Sequence, residues 1–256
     1  MTFLDSIILG AIEGFTEFLP ISSTGHLILA SSLLGLPSTE FLGSFQIAVQ
    51  LGAIGAVVVT YWRSLLDFAL LKKLAIAFIP TGLVGFLVYP YVKGFLFGNT
   101  TVVVASLFIG GVIIVAFELL FKEKPDSTPE AKDISVRQAF IVGLFQSIAI
   151  IPGVSRSAAT IIGGMLVGMR RLAIVEFSFL LAVPTMLAAT GYDFLKTAHT
   201  FSMDDLGLIA TGFAVSFLVA LISMRFLLGI VRRYSFLPFG VYRIILAVLF
   251  FLIVIL

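Results

Sequence analysis

Six long apolar runs recur along the chain, at about 41–62, 74–92, 100–121, 172–195, 205–228 and 236–256, separated by short polar segments. At ~1.5 Å rise per residue such runs reach roughly 29–36 Å as helices, enough to cross a hydrocarbon core. Two further apolar stretches, 3–36 and 137–169, are broken near their middles. The first breaks over Pro20 to Ser23 and the second at Pro152-Gly153. Proline removes a backbone donor and its ring clashes with the preceding turn. Each stretch therefore predicts two helices joined by a polar turn, either a re-entrant hairpin or two tight spans. In both cases the chain returns to the side it left. The pattern predicts an all-α integral membrane protein.

The layout also repeats. At an offset of 133 residues Gly10 matches Gly143, Glu13 matches Gln146, Ile21 matches Val154, Ser22 matches Ser155 and Gly35 matches Gly168. Each copy holds a broken hairpin and then three spans. Three is odd, so the second copy sits upside down relative to the first. That is an inverted-topology repeat, in which broken helices from both halves meet near the midplane. The first repeat covers 1–121 and the second 136–256, joined by the hydrophilic linker 122–135 (KEKPDSTPEAKDIS).

The basic residues orient this scheme through the positive-inside rule. With the 63–73 loop in the cytoplasm, that side holds Arg63, Lys72, Lys73, Lys122, Lys124, Lys132, Arg137, Arg170, Arg171, Arg225, Arg232 and Arg233. The other side holds only Lys93 and Lys196. This bias arises only if each broken stretch returns to its own side. The linker is then cytoplasmic and both termini lie outside.

Composition agrees with the pattern. The chain is 60% hydrophobic and only 12% charged, with mean hydropathy +1.17, whereas soluble domains carry about 25% charged residues. Without cysteine there is no disulfide framework, thiol nucleophile or thiolate metal site. No stretch is basic and aromatic enough for nucleic acid. A cleavable signal is not expected, because MTFLD has no basic n-region and the following apolar run contains Glu13 and Glu17.

Those two glutamates begin the chemistry. A charged side chain at a membrane helix centre costs roughly 2.5–3.5 kcal/mol and tends to mark function. Glu13 and Glu17 are four apart and share a helix face. Two acids so placed in low dielectric repel, so one is expected to hold a proton or a cation to sit between them. Mg²⁺ and Ca²⁺ prefer such oxygen ligands. The alternative is a neutralised, hydrogen-bonded pair used in helix packing. Next comes Pro20-Ile21-Ser22-Ser23-Thr24-Gly25-His26. Ser22 or Ser23 caps the second helix. His26 lies within a helical turn of both hydroxyls, the layout of an activated nucleophile. A helix–helix hydrogen bond is the plainer role for that histidine.

In the second copy, Pro152-Gly153-Val154-Ser155-Arg156-Ser157 opens a helix. Helix N-termini favour anions, and a guanidinium matches phosphate oxygens in pairs. Thr160, four residues on, shares the face of Arg156. Ser155, Arg156, Ser157, Thr160 and Ser22 thus form an expected phosphate cradle. An arginine snorkelling to an interface is the alternative. Gln146 and Arg243 are expected just behind the reacting groups, although Arg243 also suits snorkelling. Glu118 and Glu176, near cytoplasmic helix ends, are expected to be solvated, and His199 to lie in an outer loop without a role.

The run E-G-F-T-E-F-L-P-I-S-S-T-G-H at 13–26, together with P-G-V-S-R-S-x-x-T at 152–160, resembles the undecaprenyl-pyrophosphate phosphatases, the bacterial bacitracin-resistance family. The resemblance covers essentially the whole chain. One departure is Ala158, where the family pattern has Gly. The resemblance implies hydrolysis of a C55 polyprenyl diphosphate to undecaprenyl phosphate and phosphate, which recycles the cell-wall lipid carrier. It implies a divalent cation and action on the outer side of a bacterial plasma membrane. Carried over by position, Glu13 and Glu17 are the metal and acid/base carboxylates, and Ser23 and His26 the nucleophile or base pair. Ser155, Arg156 and Thr160 are the pyrophosphate cradle. Partners are the lipid substrate and the surrounding bilayer, with a homo-oligomer left open. The rival class is a secondary transporter or flippase of a polyprenyl phosphate lipid. It shares the inverted repeat and broken helices, but a Ser-rich turn beside His and paired Glu favours chemistry.

Overall fold

The computed structural model describes residues 1–91, 99–197 and 203–252; helices joined by short turns and loops make up these residues, with no strand among them. His199 and Lys93 lie outside the described residues. In the first half, α1 (Phe3–Thr16) and α2 (Ser23–Leu33) form the broken pair, followed by α3 (Glu40–Thr60), α4 (Phe68–Tyr91) and α5 (Thr100–Leu120). In the second half, α6 (Val136–Ser147) and α7 (Arg156–Leu166) are followed by α8 (Arg171–Thr197), α9 (Met203–Val231) and α10 (Leu237–Phe250). Five of these, α3, α4, α5, α8 and α9, are long and apolar enough to cross a membrane. The all-α membrane class read from the pattern is borne out. The run at 236–256 differs, giving a helix of 14 residues within the described part. Helix α4 starts before 74 because Asp67 Oδ1 accepts the amides of Ala69 and Leu70, capping an earlier turn.

The two halves are built with matching local devices. Thr2 and Asp5 form a capping box on α1, and Ser135 and Gln138, 133 residues later, form one on α6. Each box satisfies two orphan amides at once. Helix α1 packs on α9 while α6 packs on α4, and α5 packs on α10. The crossings need glycine at matched positions. A Cβ on Gly10 would run into the Gly212 carbonyl, and one on Gly143 into that of Ala77. The backbones therefore approach closely, as small residues allow in membrane helices.

The broken pairs insert toward one another around α8. Phe18, beyond α1, meets Phe179 of α8 edge-on at 4.9 Å, and both are fully buried. The linker docks on the second hairpin, where Thr128 donates its amide to Gly168 and accepts that of Arg170. Glu118 is not solvated, contrary to its expected role. Its carboxylate is buried, pairs with Arg171 at 2.6 Å, and accepts the Phe236 amide at 2.9 Å. One acid so ties α5, α8 and the entry to α10.

Candidate active site

Both hairpin tips adopt the same unusual backbone. Ser22 has φ 70° and Ser155 φ 77°, the only non-glycine residues with positive φ among those described. Such conformers cost of order 1–3 kcal/mol and persist where surrounding structure over-determines them. Each serine caps its helix, accepting the amide three residues on, Gly25 and Ala158 respectively. The helix N-termini, with first-turn amides lacking helical partners, thus open side by side in the protein interior. Anions favour such ends.

The first residue of each half-helix is polar. Ser23 opens α2 and Arg156 opens α7. They converge on one carboxylate. Ser23 Oγ donates to Glu17 Oε2 at 2.5 Å, and Arg156 Nη2 donates to Glu17 Oε1 at 2.7 Å. All three side chains are nearly inaccessible. Removing one partner of such a buried pair costs about 3–5 kcal/mol. Arg156 is aimed from behind, because Nη1 donates to the Ser178 carbonyl at 2.6 Å and approaches its hydroxyl at 3.3 Å. Arg156 Nε is buried and has no hydrogen-bond partner.

Several expected phosphate ligands do other work. Thr160 does not reach the site. Its hydroxyl meets Ser178 Oγ at 2.7 Å and backbone carbonyls of α7, so it steadies Ser178 and, through it, Arg156. Ser157 donates to the Leu19 carbonyl at 2.8 Å and joins the two tips. Ser155 and Ser22 do face the cavity. His26 does not contact Ser23. Its Nδ1 meets the Ser22 carbonyl at 2.8 Å, and its Nε2 meets the Tyr242 hydroxyl at 2.8 Å. A carbonyl only accepts, so Nδ1 carries the proton and Nε2 accepts from Tyr242. Both ring nitrogens are thus engaged elsewhere, and Glu17 accepts the Ser23 hydroxyl instead. Gln146 bridges Thr81 and Thr185 through Nε2.

Arg243 is neither exposed nor at an interface. It is fully buried and directs all five N–H groups to carbonyls, those of Leu107, Ser106, Pro20, Gly153 and Val154. Five is the whole donor complement of a guanidinium. One side chain of α10 therefore holds both hairpin tips. Gly110 makes room for it, since a Cβ there would strike the guanidinium.

A cavity of about 960 Å³ opens above Glu17, Ser23 and Arg156. Its mouth is lined by Ser38, Thr39, Thr100 and Tyr192, residues near the start of α3, the start of α5 and the end of α8. It is therefore open to the face opposite the 122–135 linker.

The model of the family described as bacitracin resistance protein BacA matches residues 6–249. The chain belongs to this family. Relatives bear the name undecaprenyl-diphosphatase. The Aquifex aeolicus protein is 48% identical over 251 residues, 98% of each chain. That of Persephonella marina is 49% identical over 255 residues, 99% of this chain and 100% of the relative. A Campylobacter jejuni protein is 47% identical over 252 residues, 97% of this chain and 93% of the relative.

Within this BacA chain, two contributors escaped sequence reasoning. Ser178 is one hydroxyl in an apolar helix, and Tyr242 lies 216 residues from the histidine it meets. Neither had a local signal. The residues expected to hold a metal differ in their surroundings. Glu17 spends both oxygens on Ser23 and Arg156, and no group of three or more His, Asp or Glu is gathered among the described residues. Glu13 is the acid with both oxygens unpaired, although it does not line the cavity. It is completely buried, and neither carboxylate oxygen has a hydrogen-bond partner. A carboxyl in such a place needs a proton or a cation.

Proposed function

We propose that this chain hydrolyses undecaprenyl diphosphate to undecaprenyl phosphate and inorganic phosphate. The observation that carries the reading is the single carboxylate of Glu17, bonded at once to a hydroxyl and a guanidinium at two convergent helix N-termini. Ser23 Oγ attacks the terminal phosphorus, and its proton passes to Glu17. The bond to the bridging oxygen breaks, Glu17 passes its proton to that oxygen, and undecaprenyl phosphate leaves. Arg156 and the first-turn amides face the charge on the transferring group, the usual main contribution in phosphoryl transfer. Water then attacks the phosphoserine, giving a proton to Glu17; the Ser23 Oγ–P bond breaks, Glu17 returns the proton to Oγ, and phosphate is released. General-base assistance of this kind contributes about 10²–10⁴ in rate. Glu13 would hold a divalent cation, which when bound offsets charge on the diphosphate oxygens.

The detergent-solubilised protein should release phosphate from undecaprenyl diphosphate without any membrane gradient, and a chelator should suppress the release. Absence of release would favour the flippase reading. Full release in excess chelator would remove the cation.

The cavity mouth shares a face with the α2–α3 connection, which the basic-residue count sets outside. The reaction therefore runs on the outer side of a bacterial plasma membrane. Exposed Ser38 and Asp126 lie on opposite faces. In intact cells an impermeant thiol reagent should label Ser38→Cys and spare Asp126→Cys. The reverse result would invert the orientation.

A further inference from the structure

The cavity lining mixes polar and apolar side chains. Ser31, Thr39, Gln46 and Gln50, from α2 and the α3 region, stand beside Ile28, Leu42 and Ile47 of the same region. Phe78, Phe86, Ile150, Ile151 and Met186, from α4, the second tip and α8, supply an apolar wall into which Thr81 and Thr185 also enter. Glu17 and Arg156 also line the cavity. We propose that the apolar wall seats the first isoprene units of the lipid tail, and that Gly82 and Gly85 of α4 leave the room for them. This inference rests on the diphosphatase reading.

The glycines are the informative feature. Glycine inside a helix is about 0.5–1 kcal/mol worse than alanine, so it needs a reason. Gly10 and Gly143 have one, because neighbouring backbones cross there. Gly85 has none of that kind. A Cβ on it would find only Ile150 Cδ1, at 3.9 Å. Gly82 would meet just the Phe78 ring one turn earlier on its own helix, from 3.0 Å. The two are three apart and share a face, and both line the cavity. Packing does not demand glycine at 85, and at 82 it gives room to the Phe78 ring, itself part of the lining; together they keep the apolar side of the cavity open. A cavity near 960 Å³ is of the size that encloses a drug-sized ligand. A C55 tail exceeds it, so the head group and first isoprenes sit inside and the remainder stays among lipids. Apolar burial at roughly 25 cal/mol per Å² makes this wall the favourable one for isoprene. It also orients the diphosphate, with the tail-linked phosphate toward Ile150 and Ile151 and the terminal phosphate toward Ser23.

The test is a graded series, Gly85→Ala, Gly85→Leu and Gly85→Phe, assayed for phosphate release in detergent from undecaprenyl diphosphate. Undecaprenyl phosphate and inorganic pyrophosphate serve as inhibitors. KM for the lipid should rise along the series, about tenfold or more for phenylalanine, with kcat held within about twofold. Inhibition by undecaprenyl phosphate should weaken in parallel, while that by pyrophosphate stays the same. Leu83→Phe, on the exposed face of α4, should change nothing. An unaltered KM in Gly85→Phe would overturn the seat. So would equal weakening of both inhibitors, which would mark a general distortion. If the unmodified protein releases no phosphate at all, the diphosphatase reading fails first and the seat with it.

Discussion

The two hairpin tips share one backbone and carry opposite chemistry. Ser22 and Ser155 have nearly the same strained φ and the same cap three residues on. Position by position at the repeat offset, however, Glu13 faces Gln146, Ser23 faces Arg156 and His26 faces Ala159. One tip holds a hydroxyl and its acid, and the other holds a cation. Ser23 and Arg156 occupy equivalent first positions of their half-helices and meet opposite oxygens of Glu17. The repeated backbone presents two helix ends that favour anions. Different side chains on the two ends give the pair its hydroxyl, carboxylate and guanidinium.

A similar asymmetry governs the support. Arg243 has Gly110 as its counterpart 133 residues earlier, and the guanidinium lies against that glycine. Only one arginine fits there. It serves both tips, accepting no anion and donating to carbonyls from each. The tips are thus similar in shape but depend on a single shared anchor.

Arg156→Lys should break the comparison most severely. A lysine has no planar fork and cannot reach Glu17, Ser178 and an anion together. Its kcat/KM should fall about as far as that of Arg156→Ala, by roughly 10² or more. Steady-state phosphate release measures this. Retention of most turnover by the lysine variant would mean that charge alone suffices.

Arg243→Lys should have a smaller, more structural effect. Three donors replace five, so two carbonyls at or near the tips lose partners, at about 1–3 kcal/mol each when buried. Thermal unfolding in detergent should shift downward, and activity should fall in proportion to the lost stability. Unchanged melting with lost activity would instead place Arg243 in contact with substrate.

Much of this was legible in the chain because proline, glycine and serine interrupt otherwise unbroken hydrocarbon. Both hairpins, the repeat and the Glu17, Ser23 and Arg156 set follow from those interruptions. What was not legible depends on distance in sequence. His26 was paired with Ser23 because they are three apart, yet Tyr242 takes its Nε2 and the serine turns to Glu17. Thr160 was given to phosphate because it shares a face with Arg156, yet α8 brings Ser178 between them. Glu118 looked solvated at a helix end, and three elements close over it. Periodicity says which face a residue occupies, not which remote helix covers that face.

In the proposed reaction Ser23, activated by Glu17, attacks the terminal phosphorus. Rapid quench of the solubilised protein with undecaprenyl diphosphate, followed by peptide mass spectrometry, tests it directly. Acid-stable phosphate should appear on Ser23, be absent in Ser23→Ala, and form at least about 10² more slowly in Glu17→Gln. Acid-labile phosphate on His26 that persists in Ser23→Ala would contradict the account.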